Sequence, residues 1–386
     1  MYINIIGNRV VIKSHLSDFF ELRFNSDNTF DLSGVYLIDF NSEYSSVLKK
    51  IEKMYHEKAV RRVILDSCYE GQILFASDDK LGIGKLFNSF FASCPEIEIF
   101  YITQNIVAIN QFNEQYSPKY KCKAVVFNYI IKSFQKQMAF VNSTEINKFI
   151  SDLSVGEVSK PYRILCLNNI AKSHRLAVCS VLHSHGLIKN NLISFLGKGF
   201  TDNLVHQTKH IFQNHINSID EFCEYIKHNG YISLPNESID MNPRSISELP
   251  RNLYSNSVFS IVTESDFTNG NTLRVTEKLL KTIACGHNFF LLGNPKTLSY
   301  LETMGFNFAS DEFSSEYDNI NCQAQRFDIV MDKVLHLMSC PDQQFKNIIS
   351  DHKDLLVKNI LNFGHAFKDY GNEMQENLIQ EIKDFF

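Results

Sequence analysis

Short β-rich runs alternate with helix-period segments along all 386 residues, and no other feature constrains the fold as strongly. Parallel strands buried on both faces read as near-continuous apolar runs, while the helices between them carry a single apolar stripe. Tyr2–Ile6, Val35–Phe40, Arg62–Asp66, Ile97–Thr103 and Cys122–Phe127 fit the first pattern, with helices expected over Tyr44–His56 and Lys80–Ser93. The stretch Val141–Val158 is more polar and ends in S-V-G-E-V-S-K-P, after which the alternation resumes. Strands are expected at Tyr162–Leu167, Leu192–Phe195, Ser257–Thr263 and Asn288–Leu292. Helices are expected at Ser173–His185, Asn203–Asn214, Ile219–Asn229, Leu273–Cys285, Lys296–Met304, Arg326–Leu337 and Gln343–Tyr370. Such a pattern predicts doubly wound α/β architecture, and the length suits two domains. The boundary is expected near Val155–Lys160, giving Rossmann-like domains over 1–157 and 158–386, with the last helices bracing back on the first domain. Two such domains facing a central cleft place a ligand at the carboxyl ends of the strands.

Composition narrows the classes. Hydrophobic residues make up 44% and charged residues 21%, with mean hydropathy -0.16, which excludes a disordered chain. No run of about 18 apolar residues is present to span a bilayer. The opening M-Y-I-N-I-I-G-N-R-V-V-I-K-S reads as a first strand and not as a signal peptide, so a cytoplasmic location is expected. Nine cysteines are scattered singly, with no C-x-x-C pair or His/Cys cluster at metal spacing, and read as small buried hydrophobes in a reducing compartment. A net charge of -5 gives no footprint for non-specific nucleic-acid binding. Acidic and basic residues nearly cancel in the first half, so the excess negative charge belongs to the second. Neither half carries G-x-G-x-x-G after its first strand or a P-loop, and there is no H-R-D or D-F-G, which argues against a dehydrogenase, a P-loop NTPase and a protein kinase.

The segment Tyr254–Phe306 carries the most chemistry. A buried strand ends in Thr263-Glu264, a polar loop follows, and a helix is expected from Leu273, capped by Asn271 or Thr272 and stopped by Gly286. On it Val275, Leu279 and Ile283 face the sheet, leaving Arg274, Glu277, Lys278 and Lys281 as the opposite stripe. Cations near a helix N-terminus oppose the macrodipole by roughly 0.3–1 kcal/mol each, so an anion there would offset them, and a diphosphate fits. The alternative is that these cations decorate a solvated face. Earlier, L-C-L-N-N-I-A-K-S-H-R reads as a strand, a loop with Asn168 and Asn169, and a helix capped by Ser173 with His174 and Arg175 in its first turn. Arg is the better residue for a bidentate phosphate clamp, which ranks Arg175 above His174; the alternative is a surface pair at a helix start.

F-S-I-V-T-E-S, R-V-T-E-K-L-L-K-T-I-A-C-G-H and F-F-L-L-G-N-P together resemble the donor-binding motif of the α1,3-fucosyltransferase family and its bacterial and viral relatives, F-x-x-x-E-N-S, Y-x-T-E-K and P-I-x-x-G. Y-R-I-L-C-L-N-N followed by K-S-H-R is similar to that family's S-N segment and its following Arg. The likeness is confined to the second half. It implies a GT-B glycosyltransferase in which Arg175 and Lys278 hold the nucleotide diphosphate and Glu277 contacts the ribose, within a pocket that also includes Asn168, His174, Glu264, Arg274 and Thr276. Ser265 stands where the family has Asn, and Arg274 where it has an aromatic residue, so base and sugar preference do not carry over.

The reaction so implied moves a sugar from a nucleotide-sugar donor to an acceptor hydroxyl, with inversion. No D-x-D ends a strand, and Asp78-Asp79 reads as a helix cap, so neither a metal nor another cofactor is expected. A general base should come from the first domain. In R-V-I-L-D-S-C-Y-E-G-Q, Glu70 is the candidate, with Asp66 orienting the loop and Asp39 as runner-up; the alternative for Glu70 is an exposed loop residue. The expected acceptor is a glycan or glycolipid of surface polysaccharide synthesis, with a modified base in phage DNA as second choice. The rival from another class is a silent nucleotide-sugar or glycan-binding module.

Overall fold

A computed structural model describes residues 2–6, 12–24, 35–40, 44–57, 60–68, 83–138, 150–151, 160–234, 249–308, 313 and 315–386. The chain divides into two compact units. The first comprises Met1–Lys132, Gly270–Arg274 and Asp369–Phe386, and the second Ser133–Asn269 and Val275–Lys368. This division falls earlier than the expected boundary, of which only Lys160 lies among the described residues. It also gives the first unit two later pieces of the chain.

The first unit holds a six-stranded sheet: β1 (Tyr2–Ile6), β2 (Glu21–Phe24), β3 (Val35–Asp39), β4 (Arg62–Ser67), β5 (Glu98–Thr103) and β6 (Cys122–Val126), in the order β2-β1-β3-β4-β5-β6. Every pairing is parallel, with Leu37 opposite Ile64 and Ile64 opposite Phe100. The central strands are buried along nearly their whole length, as helix-covered parallel strands are. On one face Phe40, Phe87, Tyr101, Phe112 and Tyr116 pack ring against ring, Phe87 lying 5.1 Å from Phe112 and 5.7 Å from Tyr101. Burying each such side chain stabilises the fold by roughly 1.5–3 kcal/mol. Two helices unforeseen in the sequence, Ile106–Tyr116 and Tyr129–Met138, belong to this layer or lead out of it. The first opens on β-branched residues that favour strand, but the Asn105 side chain caps it by accepting from Val107 N at 3.2 Å. Within the same unit the C-terminal residues pair Glu381 with Lys123 and set Phe385 5.4 Å from Phe100.

The second unit holds β7 (Tyr162–Ile170), β8 (Leu192–Lys198), β9 (Ser257–Thr263) and β10 (Asn288–Leu292), all parallel, in the order β10-β9-β7-β8. The chain leaves β7 to one side for β8 and returns on the other side for β9, so the order reverses between β7 and β9. β9 is buried at every residue. His287, just before β10, is buried with Nδ1 2.7 Å from Ser260 Oγ and Nε2 2.7 Å from the Ser257 carbonyl. Burial, with the Lys160 cation next, pushes its pKa down to about 3, so the ring is neutral and Nε2–H donates to the carbonyl.

Four local expectations change. The helix expected from Leu273 spans Glu277–Ala284, with Thr276 as N-cap, and Gly286 follows its end at φ 62°. Arg274 therefore precedes the helix. Lys281, expected on an exposed stripe, is buried, as is Arg274. The helix Ser173–Ser184 has Lys172, not Ser173, at its N-cap position. The single stretch Gln343–Tyr370 is three helices, Asp342–Asp351, Lys353–Asn362 and Ala366–Phe385. All nine cysteines are free; Cys285 is half-buried, Cys322 exposed and the others buried. Among the described residues no helix is long and apolar enough to cross a membrane.

Candidate functional site

In a doubly wound sheet a ligand binds beyond the carboxyl ends of the strands that flank the reversal of strand order. In the second unit those strands are β7 and β9. The first is followed by Ala171, Lys172 and the helix carrying His174 and Arg175; the second by Glu264, Ser265 and Asp266.

Arg175 crosses from one loop to the other. Its Nη1 donates to Ile170 O at 3.0 Å, and Nη2 donates to Thr263 O at 3.2 Å and Glu264 O at 2.9 Å. The residue is 4% exposed, and its Nε has no partner. Burial lowers its pKa, opposed first by the Glu264 carboxylate, and the guanidinium stays charged at neutral pH. His174 Nε2 lies 3.0 Å from the same Glu264 carbonyl. Burial, then the Arg175 cation, hold its pKa well below the usual value, so the ring is neutral and Nε2–H is the donor.

The Glu264 carboxylate folds back on its own loop. It accepts from Ser265 N at 3.1 Å, from Thr276 N at 3.3 Å and from Thr276 Oγ1. Thr276 Oγ1 in turn accepts from Lys278 N at 3.4 Å, so acid, hydroxyl and helix start form one chain of bonds. Lys278 Nζ donates to Ser265 Oγ at 3.2 Å and sits 3.2 Å from Glu277 Oε1. Burial raises the Glu277 pKa, but Lys278, Lys281 and the residue's own N–H outweigh it, leaving Glu277 below the ordinary carboxylate range. Lys172 Nζ donates to Ser265 O and lies 4.0 Å from Asp266 Oδ1. Three cations on two helix starts thus converge on the pair Glu264–Ser265.

The expected pocket residues therefore separate. His174, Arg175, Glu264, Thr276, Glu277 and Lys278 come together. Asn168 lies within β7, not in a loop, and is spent in the core: Oδ1 accepts from Thr263 Oγ1 at 2.7 Å, and Nδ2 faces the Cys166 and Cys179 sulfurs at 3.3 and 3.6 Å. Arg274 belongs to the stretch Gly270–Arg274 of the first unit, which Asn105 grips through Asn271 O and Leu273 N. Asp66 is fully buried and accepts from Ile12 N and Cys68 N, both at 3.1 Å. Asp39 ends β3 and is half-buried. Glu70, Asp78 and Asp79 lie outside the described residues. No cluster of His, Cys, Asp and Glu suited to a metal occurs among the described residues.

Two contributors escaped the sequence reading. Lys172 stands in the same K-S-H-R string as Arg175, and the spacing of two cations across a helix start was the available signal. Arg326, on helix Gln323–Ser339, donates Nε to Gly293 O at 3.1 Å, Nη2 to Thr268 O at 2.7 Å and Nη1 to Asn321 O at 3.1 Å, with Phe267 4.5 Å beneath. It ties together the loops that follow β9 and β10. Its place four residues before buried Val330, on the apolar stripe, marked it as a buried cation.

No family model and no curated protein matches the chain, so the α1,3-fucosyltransferase resemblance stands on the residues quoted for it. Among solved structures the chain is similar to the DNA-modifying enzyme β-glucosyltransferase, whose structure was determined with and without uridine diphosphoglucose. The two share 12% identity over 97% of this chain and 100% of that one, with a TM-score of 0.40.

Proposed function

We propose that the protein is a nucleotide-sugar-dependent glycosyltransferase of GT-B architecture that transfers a sugar to an acceptor hydroxyl with inversion. The observation that carries this reading is the convergence of Lys172, Arg175 and Lys278 at the strand-order reversal of the second sheet. Cations fixed there stabilise the negative charge that grows on a departing nucleoside diphosphate, which is the hard part of glycosyl transfer. Because side chains supply that charge, no metal is required, and EDTA should leave the rate unchanged. Glu277, half-buried beside Lys278, is assigned the contact with the ribose. The acceptor proton passes to a carboxylate of the first unit. Glu70 is assigned this role, and Asp66, bonded to Ile12 and Cys68 N–H, orients the loop at the end of β4.

The test is a panel of UDP-, GDP-, CMP- and dTDP-sugars, read by melting temperature and by release of nucleotide. A donor at a hundred times its Kd should add about 2.7 kcal/mol of stability. Lys278→Ala should weaken that binding, whereas Glu70→Ala should abolish transfer and leave binding intact. Glycolipid precursors of surface polysaccharide and DNA containing a hydroxylated base form the two acceptor arms, the first being the expected acceptor. If no donor stabilises the protein and none releases nucleotide with either acceptor, the transferase reading fails. Donor stabilisation without transfer to any acceptor identifies the binding module instead.

A further inference from the structure

We infer that Lys172, not Arg175, is the partner of Lys278 in gripping the donor diphosphate, which then lies across Ser265 between two lysine ammonium groups. The inference rests on the donor-site reading above and reassigns its charges. A bidentate arginine clamp needs a pair of N–H groups directed at the ligand. Arg175 has no such pair directed outward: three of its five N–H groups serve the carbonyls of Ile170, Thr263 and Glu264, and the other two, on Nε and Nη1, belong to a side chain only 4% exposed. Reaching a phosphate would strand three main-chain carbonyls at the ends of β7 and β9. Arg175 is a positioning residue. It fixes the turn at Glu264 so that Ser265 presents its carbonyl to one lysine and its hydroxyl to the other.

The lysines differ in each of these respects. Their side chains are 38% and 32% exposed, and each donates to a neutral oxygen of the same residue, Lys172 to Ser265 O and Lys278 to Ser265 Oγ. A phosphate oxygen carries formal charge and makes the stronger bond to an ammonium group, so it displaces a neutral carbonyl or hydroxyl. The acids facing the pair are Asp266 beside Lys172 and Glu277 beside Lys278, with Glu264 turned away onto Ser265 N and Thr276; His174 is neutral. Each lysine thus lies beside an acid and donates to a neutral oxygen that a phosphate can replace. A four-carbon stem lets it move from that contact to a ligand, which the pinned guanidinium cannot do.

The experiment is calorimetric titration with UDP, GDP, CDP and dTDP and with the matching monophosphates. Wild type should bind one diphosphate more tightly than its monophosphate. Lys172→Ala and Lys278→Ala should each weaken the diphosphate by about tenfold or more, the worth of one charge-assisted bond, and the monophosphate by clearly less. Arg175→Lys should lower the melting temperature while preserving the ratio of diphosphate to monophosphate affinity. Lys172 is half-exposed, so its alanine variant should fold as wild type does, and circular dichroism checks this. Wild-type diphosphate affinity in Lys172→Ala overturns the inference while leaving the donor site standing. Absence of any diphosphate binding in wild type overturns the donor-site reading itself.

Discussion

Each unit ends a central parallel strand in an acid that is buried and bonded to main-chain N–H groups. Asp66 is the last residue but one of β4 and holds Ile12 N and Cys68 N; Glu264 follows β9 and holds Ser265 N and Thr276 N. Locally they do the same work, which is to staple a loop. Their surroundings are opposite. Among the described residues Asp66 is flanked in the chain by buried Ser67 and Cys68 and faces Asp39 in the sheet register, and burial followed by the Asp66 charge pushes the Cys68 thiol well up. Around Glu264 lie Lys172, Arg175 and Lys278. Topology separates them as well: β9 flanks the reversal of strand order in its sheet, whereas the first sheet reverses between β1 and β3, one strand away from β4. A strand-end acid is therefore weak evidence of a ligand site, while cations gathered where the order reverses are strong evidence.

The sharpest way to break this distinction is to remove both acids. Glu264→Ala orphans two N–H groups and the cap hydroxyl, and leaves Arg175 without its nearest carboxylate. A loss of about 3 kcal/mol in urea unfolding is expected, together with loss of nucleotide binding. Asp66→Ala orphans the N–H groups of Ile12 and Cys68 and should cost about 2 kcal/mol, with nucleotide affinity unchanged. A tenfold loss of affinity in Asp66→Ala would put the two loops on the same footing and undo the contrast.

Acid should separate the units further. His174 and His287 belong to the second unit, and both have folded pKa values depressed by burial, that of His287 to about 3. A histidine with a depressed folded pKa binds protons more readily when unfolded. Its stabilising contribution is therefore complete above about pH 6.5 and is lost as pH falls toward the folded value. Between pH 7 and pH 5 that amounts to about 2 kcal/mol for His287, and His174 acts in the same direction. Hydrogen exchange at pH 5 should show β9 and β10 amides losing protection before those of β3 to β5, and His287→Asn should flatten the dependence. Equal loss in both sheets would count against this assignment.

How far the sequence reached depended on the range of the interactions involved. Tyr44–His56, Ser257–Thr263 and Asn288–Leu292 were readable to the residue because their period and their breakers are local. The start of the Glu277 helix was not. L-R-V-T-E-K-L-L has helical spacing from Leu273, but Leu273 N bonds to Asn105 Oδ1 and Leu273 O accepts from Ile106 N, partners far away in the chain. The grouping of His174, Arg175, Glu264, Glu277 and Lys278 was legible from their motifs. Which of the cations could turn toward a ligand was not, because that depends on the carbonyls of Ile170, Thr263 and Glu264, which pin Arg175 and which no pattern of side chains reveals.

The smallest expected effect tests a local structural difference between the two staples. In the first unit Asp66 accepts directly from the N–H groups of Ile12 and Cys68, whereas in the second a hydroxyl, Thr276 Oγ1, stands between Glu264 and the helix that carries Lys278. Thr276→Val keeps the shape and the main-chain bond from Thr276 N but removes both the cap and the bond to the acid. Loss of an N-cap costs about 1 kcal/mol, and that is the stability change expected. Because Lys278 is the second residue of the helix so capped, fraying of that turn should also weaken diphosphate binding severalfold, and Thr276→Ser, which restores the hydroxyl, should recover both. If Thr276→Val loses stability while binding stays unchanged, the hydroxyl serves the helix only, and Lys278 is held in place by Ser265 and Glu277 instead.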